Sequence, residues 1–372
     1  MKYTSLILII CIALCACKES KQDYTDVKTS TINYANCNIK PLDEIPLELL
    51  GEKKYVLLDN NNPDCFLNFI SKVITNNNYI FILDPNLYKI AVFDNKGKAI
   101  TTIGKRGQGP EEYLSITDFS IDNTGNIYFI DGVLDELFIF DRNFKFKERK
   151  KLPFEADILH VLDNGNILWG LCSWNEKECK GMKTALTDGH FNIIHSAIQY
   201  DEYFDPSYMI SWYKFIETEE HLIYNQPIDN NIYLFNKNGE FKETININFG
   251  DANVPNEHKL EIERNWNEFK DYCLLQHYTV VTENIIAGAL KKHQKTVPFI
   301  YDRKNNISYE GKGHNRTIYS VATGYNNSQW ITYIENSNKT TEYPDSVNNH
   351  LNKEGMVLCF QHLGWFLLLK TL

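Results

Sequence analysis

From about residue 78 onward the apolar positions come in short runs bounded by Asn, Asp and Gly, and one such mark recurs at a fixed distance. An alternating strand ending in Asp and followed by turn residues appears as Ile90-Ala-Val-Phe-Asp94-Asn-Lys-Gly97 and again as Leu137-Phe-Ile-Phe-Asp141-Arg-Asn-Phe144, a spacing of 47. Asp188-Gly189 and Asn236-Lys-Asn-Gly239 continue the series at 47 and 48. Upstream of each mark lies a second strand: Asn78-Tyr-Ile-Phe-Ile-Leu-Asp84, Asn126-Ile-Tyr-Phe-Ile-Asp131, Asn166-Ile-Leu-Trp169 and His221-Leu-Ile-Tyr224. A repeat of about 40 to 50 residues built from short strands and turn residues predicts propeller blades. Each unit is apolar on both faces of its sheet and cannot bury them alone, so the blades must stack around an axis.

Later marks are more widely spaced: Asn284-Ile-Ile-Ala287 with Phe299-Ile-Tyr-Asp302, and Gln329-Trp-Ile-Thr-Tyr-Ile334 with Val357-Leu-Cys-Phe360. The extra length between blades is helical in character over 256–272, where Leu260, Glu263, Trp266 and Phe269 fall three to four apart. The expected fold is all-β, a six-bladed propeller of four-stranded antiparallel blades with short helical insertions in the late blades. Residues 45–58 supply an early strand that closes the ring with the last blade.

The amino terminus follows a different pattern. Lys2 precedes the apolar run Leu6-Ile-Leu-Ile-Ile-Cys-Ile-Ala13, and Leu14-Cys-Ala-Cys17 places small Ala16 directly before Cys17. This reads as a lipoprotein signal over 1–16, with Cys17 becoming the lipidated first residue. A run of about ten apolar residues is short of the roughly 20 that span a bilayer, so the membrane contact would be acyl chains, such as palmitate, and not a helix. Residues 17–40 are polar and without apolar periodicity, as expected of a flexible tether, and 41–372 form the propeller. Lys18 in the second mature position favours the outer membrane of a Gram-negative envelope.

Charge and cysteine usage narrow the partners. The net charge of −10 and the absence of any basic run longer than Arg149-Lys150-Lys151 argue against nucleic acid. No C-x-x-C pair occurs, which removes zinc-ribbon and thioredoxin-like readings. Cys172 and Cys179 are spaced to form a disulfide across one loop, with two unpaired buried thiols as the equal alternative.

The most specific internal string is Ile103-Gly-Lys-Arg-Gly-Gln-Gly-Pro-Glu-Glu-Tyr113, followed by Thr117-Asp-Phe-Ser-Ile-Asp-Asn-Thr-Gly-Asn-Ile-Tyr-Phe-Ile-Asp131. It resembles the first inter-blade crossing of the six-bladed β-propeller lipoproteins of gut Bacteroidales and, more loosely, NHL repeats. The resemblance covers most of 41–345 and implies a fold and an address, but no reaction. The chain departs from that family at its end, where a strand preceded by Asn-Pro is expected and Asn352-Lys-Glu-Gly-Met356 instead leads into an apolar tail from Val357 to Lys370. The tail reads as a divergent closing strand or as the product of a frameshift.

Candidate chemistry is sparse. Gly104, Gly107 and Gly109 are not in dinucleotide order and no helical pattern follows them, so they are read as turn glycines. Beside them, Arg106, Glu111, Glu112 and Tyr113 form either a polar ligand contact at one mouth of the central channel or a clamp between the first two blades. Trp174, Tyr208 and Trp212 lie in aromatic loops near Asp201, Glu202 and Asp205, a composition suited to sugar or peptide capture. No two histidines are four apart and no Gly-x-Ser-x-Gly elbow occurs. The sequence therefore predicts a binding or protein-interaction module with no catalytic residues and no cofactor. Its partners would be a glycan, a peptide or an envelope protein. The alternative is a hydrolase or lyase holding calcium or another divalent metal at the channel.

Overall fold

The recurring Asp of each blade makes a specific hairpin. In the computed structural model Asp94 Oδ1 accepts from the backbone N–H of Lys96 and Lys98 at 2.8 and 2.9 Å, and Asp141 accepts likewise from Asn143 and Lys145. Asp188 and Asn236 repeat the arrangement. Three residues beyond each of these, the chain turns through positive φ, at Gly97, Phe144, Phe191 and Gly239. A side-chain oxygen that captures the turn's amides holds the left-handed conformation even where the residue is Phe.

The structure describes residues 27–46, 48–201, 213–226, 228–260, 268–311, 322–336, 340 and 343–363. Six antiparallel sheets follow one another around the ring, at 72–102, 118–151, 156–199, 216–248, 274–310 and 324–363, here blades one to six. The expected six-bladed propeller is thus the observed fold. Each blade runs from an inner strand at the axis to an outer strand at the rim. In blade five the innermost position is split between Leu274–Leu275 and Val280–Val281. The helical segments described outside the blades include Asn256–Lys259, a 3-10 turn at Glu268–Asp271, and Asp345–Leu351, which buries Val347 and Leu351 beside blade six.

Apolar side chains fill the spaces between neighbouring blades. Phe81, Phe119, Phe129 and Phe138 join blades one and two, and Ile130, Leu159 and Trp169 join blades two and three. Because both faces of a blade meet a neighbour, its middle strands are apolar without alternation: Ile80 to Leu83 and Ile90 to Phe93 are all buried. Complete burial of one such side chain contributes about 1.5–3 kcal/mol, which makes ring formation and core formation the same event.

The ring closes as expected. Leu50–Leu57 is the outer strand of blade six, antiparallel to Val357–Leu363. The apolar tail is therefore, up to Leu363, an internal strand of the last blade, paired on its other side with Gln329–Ile334. Its hydrophobicity follows from that position, as for the middle strands elsewhere.

One expectation needs correction. The stretch read as a flexible tether, 17–40, is ordered over its second half. Lys28–Asn33 pairs in parallel with the outer strand of blade four, and Asn38–Pro41 pairs in parallel with that of blade five. Tyr34 anchors the bend between them. It is 4% exposed, packs edge-on against Phe249 and Phe299, and its hydroxyl meets Ser308 and donates to Glu310 at 2.9 Å. The polar composition misled because an edge strand outside the rim has little apolar surface to bury; its backbone pairing and one aromatic anchor suffice. The amino-terminal segment thus crosses blades four, five and six in turn.

Candidate functional site: the axial chamber

Inner strands bring their first residues to the axis, and four of the blades place a charge there. Lys72 opens the inner strand of blade one, Asp118 that of blade two, Asp157 stands at the start of blade three and Lys214 just before blade four. The Lys72 ammonium donates to Asp118 Oδ1 at 2.9 Å and to the Phe119 carbonyl at 2.7 Å. The other Asp118 oxygen accepts from Leu159 N–H at 3.1 Å, and Lys214 lies 3.7 Å from the carboxylate while donating to the Thr117 carbonyl. All three side chains are at most 5% exposed.

Two cations about one anion leave their mark on ionisation. Burial, deepened by Lys72 and offset only in part by Asp118, pushes Lys214 down to about 8. Burial and the nearby Lys214 push His277 down to about 4, so this imidazole, packed between Tyr213 and Tyr278, is neutral at pH 7. Burial raises the Asp157 carboxyl, which bonds the thiol of Cys172. No disulfide joins Cys172 and Cys179, so the bridge of the sequence reading is not formed. The Cys172 thiol is instead turned toward Asp157, and Cys179 sits at positive φ in the loop.

Lys72 of this cluster, with Ser120, Val161 and Phe215 from beside the other three charges, lines a chamber of about 850 Å³ that opens where the inner strands turn back. Its wall includes Asn76, Asp122, His160, Glu217 and Asn326, from five blades, and blade five contributes Tyr278. The charges on the wall are largely paired. His160 approaches Glu217 to 3.3 Å from blade three, and Lys237 donates to its other oxygen at 2.8 Å. Burial opposes the charge on Glu217, but these two partners hold it down to about 2. Asp122 is engaged by Thr124, Asn126 and Tyr128. Glu219 accepts from Tyr325 and Ser328 of blade six at 3.1 and 2.8 Å, bridging the mouth across the recessed blade five. Tyr278 is the exception: its hydroxyl is buried at 2% residue exposure with no partner.

The residues singled out from sequence lie elsewhere. Arg106 and Glu112 belong to the crossing from blade one to blade two, at the opposite end of the ring from the chamber mouth. Arg106 stacks 4.2 Å over Tyr88 and donates to the Leu114 carbonyl. Glu112 accepts from Gly109 N–H at 2.9 Å, pairs with Lys105 at 3.0 Å, and is held low chiefly by the Gly109 bond. Tyr113 is buried against Phe129 and Phe138, and Glu111 is exposed. Trp174 is half-buried in a loop of blade three. None of these lines the chamber. Cys17, Tyr208 and Trp212 lie outside the described residues. What the reading missed was a charge heading an apolar pair, in Lys72-Val-Ile, Asp118-Phe-Ser-Ile, Asp157-Ile-Leu and Lys214-Phe-Ile. Among the described residues no three His, Cys, Asp or Glu side chains converge to hold a metal ion.

Sheets, closure and axial chamber together define a six-bladed β-propeller with a polar cleft at one end of its axis. Residues 29–354 match the family described as Domain of unknown function (DUF4934), and the chain belongs to that family. No curated relative matches the sequence. Among solved structures the chain is similar to a Bacteroides fragilis protein described only as exported, with TM-score 0.70 and 18% identity, covering 90% of this chain and 99% of that one. It is also similar to a member of the DUF4221 family from Bacteroides vulgatus, with TM-score 0.53 and 10% identity over 86% of this chain and 100% of that one. At these identities the likeness is one of fold.

Proposed function

We propose that the protein is a lipid-anchored envelope propeller that binds a polar ligand, a glycan or a peptide, in the axial chamber without transforming it. The observation that carries this reading is the chamber itself. It has the volume of a small-molecule site, most of its charged side chains are already engaged by neighbours, and one lining residue, Tyr278, carries a buried hydroxyl with no hydrogen-bond partner. A catalytic site would need an acid, base or nucleophile left available to a substrate. Here Asp118, Glu217 and Lys72 are each engaged by two or more groups. An unpaired buried hydroxyl costs about 1–3 kcal/mol, which a ligand hydroxyl or carbonyl would recover once the side chains covering Tyr278 shift to admit it.

The envelope address is supported by the Leu14-Cys-Ala-Cys17 sequence and by the similar Bacteroides fragilis protein, which is described as exported. Two measurements test the proposal. Metabolic labelling with an alkyne fatty acid should mark the protein, and Cys17→Ser should abolish the label; labelling that survives the substitution refutes the anchor. A thermal-shift screen against envelope glycans and peptides should find a stabilising ligand whose effect is weakened about tenfold by Tyr278→Phe. Stabilisation indifferent to Tyr278, or turnover of the ligand, refutes binding at the chamber.

A further inference from the structure

The chamber does not end at its mouth. A second cavity of about 460 Å³ lies at the seam where blade six meets blade one, walled by Lys54, Val56, Ile80 and Phe360 together with a set of amides. It shares Thr75, Asn76, Asn77, Asn326 and Asn327 with the chamber, so the two form one cleft running from the axis outward along the seam. Resting on the reading of the chamber as a ligand site, we propose that this cleft takes a neutral oligosaccharide. One end would reach Tyr278, and the chain would leave between blades six and one.

The chemistry of the seam carries the assignment. Asn76, Asn77, Asn95, Asn326, Asn327 and Gln329 give it six carboxamides against a single charge, that of Lys54. Three of these amides are locked. Asn326 Nδ2 donates to the Thr75 carbonyl and hydroxyl at 3.1 and 2.6 Å, which leaves its oxygen to the cleft. Asn95 Nδ2 donates to the Asn77 carbonyl at 2.6 Å, again leaving an oxygen. Asn76 Oδ1 accepts from the N–H groups of Asn78 and Tyr79 at 2.9 and 2.8 Å, which leaves its NH₂. Each orientation is dictated by a backbone partner that can only accept or only donate.

The seam therefore presents fixed acceptors beside a fixed donor. A cation would call for acceptors alone and an anion for donors alone, whereas a hydroxyl donates and accepts at one atom. The charges lining the chamber do not alter this. Of the charged side chains on its wall, Asp122, Arg142, Asp163 and Glu219 form no ion pair among the described residues; Asp122 and Glu219 are taken up by hydroxyls and an amide, which leaves Arg142 and Asp163, of opposite sign. An extended peptide is a poorer fit, because it is captured through a strand edge or through alternating apolar pockets. The seam is bordered by the hairpin at Asn76–Asn78 and the turn at Asn327–Ser328, where φ is +49° and +58°. Held amides also reduce the side-chain entropy lost on binding.

The test uses the full-length protein in titration calorimetry with neutral β-glucan, β-xylan and β-mannan oligosaccharides of two to six units, hexagalacturonate, and a Gly-Ser hexapeptide. The expected result is binding of at least one neutral series, tightening from the disaccharide to the hexasaccharide. Asn77→Asp with Asn327→Asp should weaken the hexasaccharide at least tenfold without lowering the melting temperature, since both residues are on exposed turns. Asn327 has φ of +49°, which Asp tolerates. Binding of only the acidic chain or the peptide, or binding blind to chain length and to the seam pair, overturns the inference. The chamber reading survives that result if Tyr278→Phe still weakens the interaction. If no neutral series binds, the inference fails outright, and if the bound ligand ignores Tyr278→Phe, the chamber reading fails with it.

Discussion

Replacing Asp118 by Asn keeps the shape of the axial cluster and removes the carboxylate that Lys72 and Lys214 share. Of the two ammonium groups, with side-chain exposures of 5% and 2%, Lys214 then keeps only the more distant Asp157. Breaking a buried pair by removing one partner costs about 3–5 kcal/mol. The Asn carbonyl still accepts one bond, which places the loss near the lower figure. At an unfolding entropy of about 2.1 cal/mol/K per residue, the melting temperature should fall by roughly 4–6 °C. The pH dependence is the sharper test. Lys214 is about 8 in the folded protein against 10.5 for the free side chain, so between these values the unfolded chain holds more protons and stability rises with pH. The buried ammonium thus carries a penalty of about 3 kcal/mol below pH 8, relieved progressively up to pH 10.5. Without Asp118 the ammonium sheds its proton at lower pH, so the deficit of the variant should shrink between pH 7 and 9. Urea unfolding at pH 6, 7, 8 and 9 reads both effects. Adding Lys214→Met should restore at least half of the loss, as a coupled pair requires. A deficit under about 1 kcal/mol, or one that does not change with pH, would show that the three groups are not coupled as described.

Three further outcomes follow from the packing. Gly97→Ala should cost about 3 kcal/mol or more, because φ is +87° and the new methyl would lie 2.0 Å from the Leu57 carbonyl; hydrogen exchange should show Leu50–Leu57 opening, and a neutral result would contradict the hairpin's contact with the closing strand. Tyr34→Phe should lose about 1–2 kcal/mol by stranding Ser308 and Glu310, and Tyr34→Ala about 3–5 kcal/mol; equal, small losses in thermal unfolding would mean that residues 28–41 are not held against blades four and five. Alkylation in denaturant without reductant should modify Cys172 as fully as Cys65 and Cys273, and protection of Cys172 until reductant is added would refute the absence of a Cys172–Cys179 bridge.

Much of the blade count was legible because each hairpin needs a local solution to a local problem. Asp94, Asp141, Asp188 and Asn236 cap turns within four residues of themselves, so their spacing survives as a sequence signal. The middle strands were legible for a related reason: burial on both faces demands unbroken apolar runs. The edge segment 28–41 was not, because a strand added to the rim is defined by the partner it pairs with and not by its own side chains. The Arg106 to Tyr113 crossing drew attention through its glycines. It turned out to pack blade two onto blade one, at the far end of the ring from the chamber.

By itself the sequence determined the repeat, the number of blades, the strand that closes them, and an amino terminus patterned for export. These rest on turn chemistry and on runs of apolar residues, which act over a few positions. Only the tertiary structure decided the site. Lys72, Asp118, Lys214 and Tyr278 are spread over more than half of the chain, and no local pattern links them. They meet because every blade brings the beginning of its inner strand to a common axis, where burial turns ordinary charges into a coupled cluster and leaves one hydroxyl without a partner.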